Sequence, residues 1–70
     1  MPEYTINMDW DADAKVWCAI CDDIPLALES GSFDALIERV KIAAPEILAL
    51  NGIASECTLH FVADRKIGVA

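Results

Sequence analysis

Hydrophobic and polar residues alternate from Tyr4 to Trp10. Tyr4, Ile6, Met8 and Trp10 fall on one side, and Thr5, Asn7 and Asp9 on the other. This predicts a half-buried strand with one wet face. The polar "DADA" makes a turn, and "KVWCAIC" is a second strand. Trp17, Ala19 and Cys21 share one face, and Val16, Cys18 and Ile20 share the other, so both sides are fairly apolar. "DDIP" reads as a turn and "LALES" as a short third strand. From Phe33 to about Leu50 the apolar period becomes helical. Phe33, Leu36, Ile37, Val40, Ala44, Ile47 and Leu48 form one stripe. Ser32 is placed to cap this helix, and Asp34 favours its positive end. Pro45 removes one helical hydrogen bond, which predicts a kink. Asn51-Gly52 ends the helix. "SECTLHFVA" is a last strand with Cys57, Leu59 and Phe61 on one face and Thr58, His60 and Val62 on the other. The segment "DRKIGVA" leaves the sheet.

The order β-β-β-α-β defines an α+β fold. Three strands form an antiparallel meander. A right-handed helical crossover delivers the fourth beside the first, giving one mixed sheet in the order 3-2-1-4 with the helix on one face. The expected buried face is Tyr4, Ile6, Met8, Trp10, Trp17, Ala19, Cys21, Leu59 and Phe61.

With 70 residues, the chain is read as a single domain spanning 1–70. A domain of this size usually needs a disulfide, a metal or a partner chain to stabilise it. Apolar residues make up 56% of it, enough for a core and for apolar surface left over. The net charge of −7 disfavours direct binding to nucleic acid and suits a basic partner. Three cysteines cannot all pair within one chain. With no signal peptide visible in "MPEYTINMD", they point to a reducing cytoplasm. No apolar run is long enough for a membrane helix.

Cys18-x-x-Cys21 and Cys57-x-x-His60 have the spacing of a structural zinc site. Residues three apart along a strand point to opposite faces, however. Cys18 and His60 would face outward while Cys21 and Cys57 face the helix, so the four do not converge. Cys21 and Cys57 are then small buried apolar residues. Asp9, Asp11 and Asp13 begin a calcium-loop pattern that fails at Ala14 and Ile20, where Gly and Glu are needed. Cys18 and His60 share a face but have no third group to orient them, and a flat sheet face is not a cleft. No glycine-rich phosphate loop exists. The two tryptophans fall on the helix-covered face, which favours core over a base-stacking platform. No catalytic, cofactor-binding or metal residue is assigned, and no cofactor is expected.

The acidic turn, Trp17-x-Ala19, Asp23-Ile24-Pro25 and Gly31-Ser32 opening a helix with Ala35 and Leu36 together resemble the N-terminal domain of HicB-like antitoxins. Tyr4-x-Ile6, Trp10-Asp11 and the run Pro45 to Gly52 are most similar to a small stand-alone uncharacterised branch of that superfamily. The resemblance covers nearly the whole chain. It implies a reduced ribonuclease H-like fold without nuclease activity, because the metal-binding carboxylates are not evident. It also implies a non-enzymatic antitoxin-like domain that binds a small basic toxin-like protein. No DNA-binding segment is evident before Ala70, so operator binding is not expected. The alternative is a metal-stapled or catalytic small domain using Cys18, Cys21, Cys57 and His60. The open sheet face carries Val16, Cys18, Ile20, His60 and Val62. These are the expected interface residues, for a homodimer or for the basic partner. The homodimer is expected through that face or the adjoining edge of the meander.

Overall fold

In a computed structural model the chain forms one four-stranded mixed sheet with a single helix, and residues 1–69 are described. The strands are β1 (Glu3–Asp11), β2 (Val16–Cys21), β3 (Leu26–Ser30) and β4 (Thr58–Asp64), and α1 spans Phe33–Leu50. The sheet order is β3-β2-β1-β4. β1 pairs antiparallel with β2 and parallel with β4, and β2 pairs antiparallel with β3. This is the topology expected from the alternating pattern.

Local chemistry sets each junction. After β1, the Asp11 carboxylate accepts the backbone N–H groups of Asp13 and Ala14 at 3.0 and 3.2 Å. This side-chain turn explains why a run of acids replaces a strand. It ends at Lys15, whose φ of 56° places a lysine in the left-handed region. The Ser32 hydroxyl accepts the Ala35 N–H at 3.2 Å and caps α1, with Asp34 in the first turn. At the other end Gly52 has φ 70°. Its N–H donates to the Ala49 carbonyl and that of Ile53 to the Leu48 carbonyl, at 3.1 and 2.9 Å. This pair of bonds is the glycine-dependent Schellman closure. The helix runs on through Pro45.

Leu36, Val40, Ala44 and Leu48 repeat every four residues and have no exposed surface. They meet Ile6, Met8, Ala19 and Cys21. The core differs from the expected face in two ways. Ile24 and Leu26 are buried members of it, although the "DDIP" stretch reads as a polar turn. The N–H of Leu26 bends back to the carbonyl of Ile24 at 2.7 Å, and this tight turn tucks Ile24 inward. Tyr4, Trp10, Trp17, Leu59 and Phe61 are only half-buried. For Leu59 and Phe61 the reason is that α1 packs chiefly on β3 and β2 and does not reach over β4. The last strand also starts later than "SECTLHFVA" suggests. Ser55 to Cys57 lie outside it, although Cys57 still packs against the core. The segment after Asp64 leaves the sheet as expected, with Ala70 outside the described residues.

Leu36→Ala should lower unfolding free energy by about 2–5 kcal/mol in urea titrations, since its site is fully enclosed. Ile42→Ala, on the outer face of the same helix, should stay within about 0.5 kcal/mol.

Candidate functional site: the open sheet face

The pairing register fixes what the uncovered face presents. Asn7 lies opposite Ile20 and beside Val62, and Ile20 lies opposite Ala27. One rung is therefore Ala27, Ile20, Asn7 and Val62. The next is Glu29, Cys18, Asp9 and Asp64, by the same pairings. Val16 follows Cys18 along β2, and Thr5 stands beside His60.

All five expected interface residues lie on this face. Val16 and Cys18 are half-buried, while Ile20, His60 and Val62 are exposed. The register does not join them into one patch. Val16, Cys18 and Ile20 form a strip along β2 that continues onto Ala27. His60 and Val62 lie on β4, beyond the polar Thr5, Asn7 and Asp9 of β1. A shallow hollow on the strip is lined by Cys18, Ile20, Ala27, Leu28 and Glu29. Glu29 is part of its lining, Asp9 and Asp11 flank the strip on β1, and Asp64 stands two strands away. Ala27 and Glu29 were not among the sequence candidates. The alternation of "LALES" is the signal that puts them beside Ile20 and Cys18 once the β2–β3 register is known.

Cys18 reports the electrostatics of this strip. Its thiol pKa is raised above the usual value, first by partial burial and then by the charges of Glu29, Asp11 and Asp9. A thiol so placed stays protonated at neutral pH and is a poor nucleophile.

The alternative chemistry loses its geometric basis. Cys18 and His60 face outward, whereas Cys21 is buried beneath the helix and Cys57 packs against the core from the same side. All three thiols are free. Among the described residues no three His, Cys, Asp or Glu side chains are grouped to hold a metal. Cys18 and His60 do not pair either. His60 is level with Thr5 and Cys18 with Asp9, with β1 between them. Four residues along and two strands across separate them by about 16 Å.

A second cluster sits on the helix side, at the end of the sheet near the first turn. Trp10 and Trp17 are cross-strand partners with ring centroids 5.6 Å apart, and Trp17 meets Phe33 edge-on at 4.7 Å. Arg65 lies 4.0 Å over the Trp10 ring. The tryptophans thus join β1, β2, the start of α1 and the end of β4, which is a packing role. Among the described residues no helix is long and apolar enough to cross a membrane.

A family model described as a domain of unknown function, DUF1902, matches residues 3–69. A solved structure of a hypothetical protein from the extremely thermophilic bacterium Thermus thermophilus is 33% identical. It covers 96% of this chain and 99% of its own, with a TM-score of 0.81. No curated protein sequence matches the chain.

Thiol labelling checks the electrostatics. Alkylation of Cys18, followed by mass spectrometry of its peptide, should be slow at neutral pH and rise only in the alkaline range. Glu29→Gln should move that rise to lower pH, because a charge opposing the thiolate is gone. A Cys18 that labels as fast as a free thiol at neutral pH contradicts this account.

Proposed function

The chain belongs to the DUF1902 family, a domain of unknown function, and we propose that it is a non-enzymatic, antitoxin-like interaction domain that binds a small basic protein. The observation that carries this reading is the apolar strip of Val16, Cys18, Ile20 and Ala27, flanked by the carboxylates of Glu29 on β3 and of Asp9 and Asp11 on β1. Apolar area supplies affinity, at about 25 cal/mol per Å² removed from water. The surrounding negative potential selects a cationic partner and speeds encounter. The net charge of −7 acts in the same direction at longer range.

The resemblance of Trp17-x-Ala19, Asp23-Ile24-Pro25 and Gly31-Ser32 to HicB-like antitoxins supports the same partner class. On that likeness the partner is a small basic toxin-like protein, and the domain acts by covering its surface. The raised pKa of Cys18 also fits a docking surface better than a nucleophile. The reading places the protein in the cytoplasm, where three free thiols stay reduced.

The test is direct binding of the purified chain to the small basic protein encoded beside its gene, followed by calorimetry at two salt concentrations. Ile20→Lys and Glu29→Lys should each weaken binding by at least about tenfold, or 1.4 kcal/mol. Ile42→Lys, on the outer face of α1, should change it little. Affinity should fall as salt rises. The absence of any such neighbouring protein, or binding indifferent to Ile20→Lys and Glu29→Lys, would sink the proposal.

A further inference from the structure

The two edges of the sheet are unlike. β3 is the outer strand on one side, and the Arg39 guanidinium reaches from α1 to donate to the Glu29 carbonyl at 2.7 Å. A capped carbonyl and a charged side chain laid across an edge discourage another strand from pairing there. β4 is the outer strand on the other side and pairs with β1 alone. The Thr58 N–H donates to the Pro2 carbonyl at 2.8 Å, so Thr58 turns its backbone groups toward β1. By the alternation of a parallel ladder, His60, Val62 and Asp64 do the same. Leu59, Phe61 and Ala63 therefore turn their N–H and C=O groups outward, where no strand meets them.

We infer that two copies of this chain associate through their β4 edges, antiparallel about a two-fold axis at Phe61, forming a continuous eight-stranded sheet. Phe61 is the midpoint of Thr58–Asp64. A pairing centred there sets Phe61 against its own copy and Leu59 against Ala63. These are the residues with free backbone groups, so donors and acceptors match without shift. The side chains agree as well. On the helix side Leu59 and Phe61 are half-covered because α1 lies over β2 and β3, and the second copy brings the same apolar residues alongside. Within the strand the same register sets Thr58 opposite Asp64 and, on the open face, His60 opposite Val62, which is 43% exposed.

Charge favours this edge over the open face. Two chains of −7 repel each other. From Cys57 to Val69, however, the chain carries one acid, Asp64, against Arg65 and Lys66. Repulsion is therefore weak there. The open-face or meander-edge dimer expected from the sequence would instead press carboxylates together, or meet the Arg39 cap. The β4 contact leaves the open face free, and it stands whether or not a basic partner binds there.

Sedimentation velocity of the full chain across micromolar concentrations tests the inference. Wild type should be a dimer. Ala63→Pro removes an outward N–H that β1 does not use, and should weaken association by at least about tenfold while the circular dichroism spectrum stays unchanged. Thr58→Asp, which sets a second acid against Asp64 of the copy, should weaken it a few-fold, and Thr58→Lys should strengthen it. Ile20→Lys should have no effect. A monomeric wild type overturns the inference, as does a dimer that survives a folded Ala63→Pro or is lost in Ile20→Lys. If Ala63→Pro fails to fold, the two Thr58 variants decide, and equal association of Thr58→Asp and Thr58→Lys counts as refutation.

Discussion

A helix about 10 Å across cannot roof four strands spaced about 4.8 Å apart. α1 settles over β3 and β2, and most of the remaining structure follows from that offset. The strands beneath it are sealed, with Ala19, Cys21 and Leu26 among the core. The far strand, β4, keeps Leu59 and Phe61 half in solvent. Stability is concentrated beneath α1, where Ile6 and Met8 of β1 join the buried residues of β2 and β3, and apolar surface is left on β4. Arg39 belongs to the same arrangement. It is on the helix that overlies β3, so it can reach the β3 edge and cannot reach the β4 edge.

Much of this was legible along the chain because period two and period 3.6 are geometric consequences of backbone shape. Ile6 and Met8 are buried where the alternation from Tyr4 to Trp10 puts them. The helix begins at Phe33 after a serine cap and closes at a glycine. The same period disposed of the cysteine spacing, since three residues along a strand separate Cys18 from Cys21 by a whole sheet. What was not legible depends on contacts between elements. Nothing in "DDIP" says that Ile24 turns inward, because that is decided by a two-residue turn back from Leu26. The lateral position of α1 is also absent from the apolar pattern, which shows that a helix has a buried face but not which strands lie under it. At the open face, Val16, Cys18 and Ile20 were readable as neighbours on β2. Their separation from His60 and Val62 required the register of β1.

The open face is chemically quiet and electrostatically strong. Its one thiol is held in the neutral form by partial burial and by Glu29, Asp11 and Asp9. Its one histidine lies two strands away. On the proposed reading Glu29, Asp9 and Asp11 select a cationic ligand, and because Asp9 and Asp11 are exposed beside the strip their desolvation cost is small.

The aromatic corner has a consequence for how the molecule can be observed. Both tryptophans of the chain stand together, with Arg65 above one and Phe33 against the other. All indole emission therefore comes from a single corner, where β1, β2, the first turn of α1 and the end of β4 converge. A fluorescence signal reports the closing or fraying of that corner. It does not see the sealed layer between α1 and β3, which carries no indole. Where the optical transition and the loss of helical ellipticity diverge, the difference measures how independently the two ends of this small sheet come apart.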